Sequence, residues 1–426
     1  GNIVQDPIRD HVRVLVKVAN RFDAGPREVC ETRGVRSVMA HFTDLPTEMI
    51  VHIFEHIPSR DLWRSVRPVC RLFACIIGDS KMWHLKIRNF DVTLPTCQTE
   101  EENFHWAHCC SELERERNRW ANGSLKRRVS VTGHLATVDA IRLMETPAHR
   151  KVCITGSRDR SLVVWDVNKI AKRVDLESWK LQDVPEAHQG WIWSVCKSGA
   201  DDFYSCGWDR FVKQWRISNT GVEPVCSAEL TAAVLCVVSD ESMVISSSFD
   251  HKICAMDARY RLQKMIELEF HDSAVFDLAQ EVGSPYLYSC SQDRRVVCVD
   301  KRMWRMLCEL QLAAYAQSLS LCSGQLLCGT VGGKVVLLNP NNLSVVNELR
   351  VAAFCHAIRQ VKLNVGSAMC LMRNPSFKIF TPGMTPKLLA ETDELVAEPS
   401  RFDYYNGDLA VACGDGSVLF WTNEGP

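Results

Sequence analysis

A chain of 426 residues with 46% apolar content is long enough for one large domain and a small one. Its 50 Lys and Arg stand against 51 Asp and Glu, so near neutrality gives no electrostatic reason to expect nucleic acid as a partner. No secretory signal or membrane-spanning run is visible, so no membrane is expected as a partner. Twenty cysteines include no Cys-x-x-Cys pair. Many occupy apolar positions, such as Cys153, Cys236, Cys254, Cys298 and Cys413, where Cys behaves as a small hydrophobe. Free thiols fit a reducing compartment, cytoplasmic and/or nuclear.

Residues 1–40 form an N-terminal segment of unknown role, in which His11–Asn20 can pack as a strand, or as a helix with Val12, Leu15 and Val18 together. The opening Gly1 fits a fragment or a processed start. From residue 41 to 88 the pattern turns helical. Asp44-Leu45-Pro46-Thr47-Glu48 opens a helix with acid at its start and Pro in the first turn. Met49, Ile50, Ile53, Phe54 and Ile57 share one wide face. Pro58-Ser59-Arg60-Asp61 starts a second segment carrying Leu62, Val66, Val69, Leu72 and Phe73, which Pro68 splits in two. Trp83 follows a Gly-Asp-Ser turn.

Residues 89–124 read as a helical linker. Its polar stretch from Gln98 to Asn122 carries Phe104, Trp106, Leu113 and Trp120 as anchors. His105, His108, Cys109 and Cys110 match no strong zinc spacing, so no metal and no cofactor is expected. The basic run Arg115–Arg128 contains Glu116 and follows Glu112 and Glu114, as a solvated face does. Asn122-Gly123-Ser124 and Asn342-Leu343-Ser344 read as chance glycosylation patterns.

Residues 125–426 repeat. A turn residue is followed six positions later by an aromatic or large apolar one: Asp159 and Trp165, Asp209 and Trp215, Asp250 and Met256, Asp293 and Val299, Gly332 and Leu338, Asn374 and Phe380, Asp415 and Trp421. Successive turns lie 50, 41, 43, 39, 42 and 41 residues apart, the long gap holding a polar insert around Asn168–Pro185. Strand-rich units of this period predict a mainly β chain with a seven-bladed propeller. Only five residues follow Trp421, too few for an outermost strand. The missing strand is expected from 126–132, where Val129 and Val131 alternate with polar neighbours. Pairing the chain ends removes a sheet edge.

The repeats resemble the WD-repeat family through Gly133-His134, Trp165-Asp166, His188 and Trp215. That resemblance implies buried networks of His134, Thr155, Asp159 and Trp165, and of His188, Ser205, Asp209 and Trp215, with a structural role. The stretch at 41–88 resembles an F-box through Leu45-Pro46, Ile53, Ile57, Leu62, Val69-Cys70-Arg71 and Trp83. The whole chain is thereby similar to the F-box/WD-repeat protein family. The resemblance implies the substrate-recognition subunit of a Skp–cullin–F-box ubiquitin ligase, which performs no bond chemistry. Leu45, Pro46, Ile50, Ile53, Ile57, Leu62, Val69 and Phe73 would bind a Skp-type adaptor and through it a cullin. The propeller rim would hold a protein substrate.

In the WD-repeat family, the residue before each turn Asp and those flanking the first-strand Val or Ile face one rim. Here these are Arg158, Trp191, Trp193, Trp208, Phe249, Phe276, Gln292 and Arg359, with Arg373 nearby. Aromatics and Arg are the types enriched at binding hot spots, and Trp191, Trp193, Trp208 and Arg158 are the first choice. Too few arginines gather for a purely phosphate-reading rim. The rival readings are a plain WD-repeat scaffold and a receptor for the cullin-4 adaptor, the latter from Asp257-Ala258-Arg259 and Asp300-Lys301-Arg302. Met256 and Val299 replace the aromatic that usually precedes that element, and the arginines read first as turn salt bridges. No nucleophile with a paired base and no phosphate loop supports an enzyme.

Overall fold

The computed structural model describes residues 45–90, 92–94, 104–121, 128–147, 150–173, 178–199, 201–218, 221–240, 242–351, 357–373, 376–392, 395 and 397–422. His11–Asn20, Asp44, Asn122-Gly123-Ser124 and the turn at Asn374 lie outside them, as do parts of the linker and of 126–132. Two compact units form, Gly1–Thr93 with Glu102–Asn118, and Leu94–Glu101 with Arg119–Pro426.

The first unit is helical. Helix α1, Thr47–Glu55, starts directly after Pro46, where a missing N–H costs nothing. After a short turn at Ser59–Asp61, a π turn spans Leu62–Val66 and a 3-10 turn spans Arg67–Val69 around Pro68. Cys70 is extended and its Sγ accepts the Phe73 N–H at 3.4 Å, capping α2, Arg71–Gly78. Asp79 caps α3, Ser80–Arg88, by accepting the Lys81 N–H at 2.9 Å. Ile50, Phe54, Leu62, Phe73, Ile77 and Trp83 form the core, with Phe54 and Phe73 edge to face at 5.2 Å.

Helix α4 spans Trp106–Ala121. Its Glu114 accepts the Ser59 N–H at 2.7 Å and the Ser59 hydroxyl at 2.8 Å, and pairs with Lys86 at 3.2 Å. Lys86 is buried and also donates to the carbonyls of Ile57 and, at 3.1 Å, Glu55. A buried charge this well partnered fixes geometry, since removal of either partner strands the other. Cys109 and Cys110 are buried whereas His105 and His108 are exposed. Among the described residues no group of three or more His, Cys, Asp or Glu gathers to hold a metal.

The second unit is a seven-bladed propeller. Among the described residues, 28 strands form seven antiparallel four-stranded sheets. Blades one to six run over 138–184, 192–229, 234–268, 275–311, 316–350 and 358–391, with strands in chain order from the centre outward. Blade seven takes Pro399–Tyr405, Asp408–Cys413 and Ser417–Trp421, and is completed by Val129–Thr132 paired with residues 417–420. The polar insert holds helix α5, Val167–Lys172, capped by Asp166, and then the outermost strand of blade one, Lys180–Val184. That strand is half-buried and polar, which is why the sequence there resembles a gap.

Among the described residues, seven apolar clusters each join neighbouring blades. Ile154, Ile192 and Trp215 bind blades one and two, while Phe377, Phe402 and Trp421 bind six and seven together with Trp120. Polar side chains on the innermost strands reinforce the ring. Asp277 accepts the Leu319 N–H at 2.8 Å, Ser320 that of Leu363 at 2.8 Å, Gln360 that of Phe402 at 2.7 Å, and Asp403 that of Leu143 at 2.7 Å. In every case the acceptor belongs to one blade and the donor to the next, the last bond closing blade seven on blade one.

Candidate partner-binding rim

Rim geometry is set by the turn before each third strand. In blade two His188 Nδ1 donates to Asp209 at 2.9 Å, Ser205 Oγ donates to His188 Nε2 at 2.7 Å, and Trp215 Nε1 donates to Ser205 Oγ at 2.7 Å. Blade one repeats this with His134, Asp159, Thr155 and Trp165 at 2.8–3.2 Å. Burial alone would raise the Asp159 carboxyl; hydrogen bonds from His134, Ser161 and two backbone N–H groups outweigh it and hold the group well below the usual carboxylate range.

Sequence reasoning missed a third network. His271 donates to Asp293 at 2.9 Å and accepts from Ser289 at 2.8 Å. Its signal was its spacing, 22 residues before its Asp against 21 for His188. Val299 in place of Trp hid it.

Backbone bonds establish which rim positions are equivalent. The residue before each turn donates its N–H to the carbonyl just before the innermost strand: Arg158 to Thr137, Trp208 to Trp191, Phe249 to Ala233, Gln292 to Ala274, Val331 to Tyr315, Arg373 to Ala357 and Gly414 to Glu398. Seven β-bulges follow, each one residue into the innermost strand, at Asp139, Trp193, Leu235, Phe276, Gln317, Arg359 and Ser400. A bulge re-aims the side chain it carries. Trp191 comes close because residue 207 is Gly; a Cβ there would sit 2.1 Å from the Trp191 carbonyl oxygen.

Five of the expected residues gather. The Arg158 guanidinium lies 4.7 Å from the Trp191 ring and 5.9 Å from that of Trp193, while its Nε donates to Asp139 at 2.6 Å. Trp208 meets Trp191 and Trp193 edge-on at 5.7 and 6.1 Å, and Phe249 continues the row at 6.0 Å from Trp208. Trp191, Trp208 and Phe249 are 42, 41 and 54% exposed. The result is a solvent-facing aromatic shelf over blades one to three with one cation held against it.

Phe276 instead pairs with Tyr315 at 5.6 Å. Sequence reasoning overlooked Tyr315, which occupies the same strand-entry position as Trp191. Arg359 and Arg373 both turn to Glu398, giving blades six and seven an ionic sector. Asp139 and Trp193 line a central channel of about 580 Å³, along with Arg142, Asp277, Lys362 and Asp403. Arg259 and Arg302 close on their own aspartates, Asp257 and Asp300, at 2.8 and 2.7 Å.

The helical unit requires a correction. Ile50, Ile57, Leu62 and Phe73, expected at an adaptor interface, are core residues, Ile50 and Leu62 being 0% exposed. The apolar face read as an interface is mainly the face this small unit must bury to fold. Pro46 is exposed and Leu45, Ile53 and Val69 are half-buried. Exposed apolar side chains that the core does not need are Met49, Leu72 and Leu85.

Comparison with known proteins follows these two units. The F-box-like family matches residues 42–87, and the WD domain, G-beta repeat family matches 125–166 and 179–216, the blades with complete polar networks. Solved structures of U3-55K and of the RRP9 WD40 repeats superpose with a TM-score of 0.61 at 14% identity, each covering 69% of this chain and 98% or 97% of its own, a likeness of fold alone. F-box/WD repeat-containing protein 9 is 28% identical in Bos taurus, over 92% of this chain and 83% of the relative, and 25% identical in Homo sapiens, over 86% and 81%. F-box/WD repeat-containing protein mec-15 of Caenorhabditis elegans is 32% identical over 88% of this chain and 95% of its own length. With both units and their order matched, this chain belongs to the F-box/WD repeat-containing protein family.

Proposed function

We propose that this chain is the substrate-recognition subunit of a Skp–cullin–F-box ubiquitin ligase in the cytoplasm and/or nucleus. The helical unit docks a Skp-type adaptor, and through it a cullin, while the aromatic shelf holds a protein substrate. Its contribution to rate is proximity: a lysine held near a charged conjugating enzyme reacts at a raised effective concentration.

The observation that carries this reading is the apolar surface left on a helical unit whose core is already complete. Met49, Leu72 and Leu85 stay exposed and Leu45 and Ile53 are half-buried, apolar side chains of a kind suited to helix-in-groove recognition. At the other end, Trp191, Trp193, Trp208, Phe249 and Arg158 offer a mixed aromatic and basic site for a short peptide.

Co-purification with a Skp-type adaptor tests the first half. The full chain is expected to retain the adaptor, and a Leu45→Ala, Pro46→Ala, Met49→Glu variant to lose it by about tenfold or more. Retention of a cullin-4 adaptor and not of the Skp type would replace this reading with the rival one. A Trp191→Ala, Trp208→Ala variant should keep the adaptor and lose substrate recovery; unchanged recovery would remove the shelf from the substrate site.

A further inference from the structure

We propose that Cys298 and Cys308 of blade four form a reversible disulfide site, closed by low-molecular-weight disulfides such as oxidised glutathione. Cys298 lies on the third strand, Arg295–Asp300, and Cys308 on the outermost, Arg305–Gln311, directly opposite in register. Directly opposed residues of an antiparallel pair have Cα atoms about 4.5 or about 5.5 Å apart. Both values fall within the roughly 4.4–6.8 Å that a disulfide spans.

The register beyond this pair is the same in most blades. A bulge follows it, placing Val299 opposite Met306, just as Trp215 follows Gln214 in blade two and Met256 follows Ala255 in blade three. Blade two shows what side chains do at this site. Gln214 faces Cys226 there, and the two touch, with Sγ 3.2 Å from Oε1. The corresponding pairs elsewhere are Val164 with Gln182, Ala255 with Ile266, Leu337 with Asn347 and Ile379 with Ala390. Blade four puts a thiol on both sides.

Both thiols are free, and Cys308 packs against the same apolar cluster that buries Cys298. They differ in access: Cys298 is buried in the cluster between blades four and five, whereas Cys308 is half-buried on the outer strand. Burial pushes Cys298 up to about 12 and raises Cys308 as well, so exchange begins at the outer thiol. The Cys308 thiolate attacks one sulfur of the oxidised glutathione and releases one glutathione thiolate. The Cys298 thiolate then attacks the Cys308 sulfur of that mixed disulfide and releases the second. Two protein thiols are oxidised, one glutathione disulfide is reduced, and the two thiol protons leave with the two glutathiones. Closure would pin the edge strand that carries the exposed side chains of Met306 and Leu307.

The full chain would be incubated with oxidised glutathione, alkylated, cleaved with trypsin and analysed by mass spectrometry. Arg302 and Arg305 lie between the two cysteines, so a closed pair appears as two cross-linked peptides. The expected result is that cross-link, a fall of about tenfold in alkylation of Cys308, and reversal of both by dithiothreitol. In a Cys298→Ser chain, Cys308 should hold glutathione as a lasting adduct, and a Cys308→Ser chain should leave Cys298 reduced. A wild-type Cys308 that stays alkylatable, or that keeps glutathione without passing to Cys298, overturns the proposal without calling on either variant.

Discussion

Blades two and five build the same turn by different means. The residue after the turn position takes a left-handed conformation in both, Arg210 at φ 72° and Gly333 at φ 75°. Each donates its N–H back across the turn at 3.2 Å, to Gly207 and Thr330 respectively. For Arg that conformation is strained, and Gly adopts it freely. Blade two holds the strain with buried His188 and Ser205 and half-buried Asp209, the last also accepting the N–H groups of Gln189 and Phe211. The blade-five turn has neither His nor acid, and Thr330 bridges it, donating to the Lys334 carbonyl at 2.8 Å and accepting its N–H at 3.2 Å. The polar network is thus a clamp for side chains the backbone would otherwise avoid, and where Gly stands it is dispensable.

The sharpest way to break this comparison is to remove the clamp. His188→Ala leaves Asp209 and Ser205 short of partners and should cost about 3 kcal/mol, against about 1 kcal/mol for Thr330→Ala. Urea unfolding of both variants measures the gap, and equal costs would mean the network is not what holds blade two.

Gly333→Ala should cost about 1 kcal/mol because the left-handed position penalises a Cβ. Arg210→Gly should be close to neutral, since strain relieved offsets entropy lost. If Gly333→Ala is silent in thermal melts, the turns of the two blades are not equivalent.

Protonation is the gentlest lever. Burial lowers His188 and His271 below the ordinary 6.5, so the unfolded chain takes up the proton first. Their stabilisation is full above about pH 6.5 and is lost as pH falls through that value towards the folded pKa. Asp209 and Asp293 are also lowered, hydrogen bonds overriding burial, and their contribution fades only below the ordinary 3.8. Hydrogen exchange between about pH 7 and about pH 5.5 should therefore loosen blades two and four before blade five.

The turn-to-apolar spacing made the ring legible in the sequence, because each third strand must place its apolar residue six positions past the turn whatever chemistry holds that turn. Blade five kept the spacing with Gly332 and Leu338 although its polar residues were gone. The F-box residues were legible as a motif but not as a surface. An amphipathic stripe looks the same whether it meets a partner or its own core, so Ile50 and Leu62 were assigned outward while Met49 carries the exposure. At the rim, Trp191, Trp193 and Trp208 could be named in advance. The neutralisation of Arg158 by Asp139 could not, because it depends on a bulge that leaves no mark in composition. Tyr315 became visible only once the repeated backbone bond aligned it with Trp191.

The seven bulges carry a consequence for how such a ring changes over generations. Each turns one side chain out of the strand pattern, and that residue sits beside the apolar clusters without belonging to them. Asp139, Trp193, Leu235, Phe276, Gln317, Arg359 and Ser400 differ in charge, size and polarity on an otherwise repeated frame. Selection can therefore rewrite the ring one letter at a time, acquiring a new partner without redesigning the scaffold that displays it.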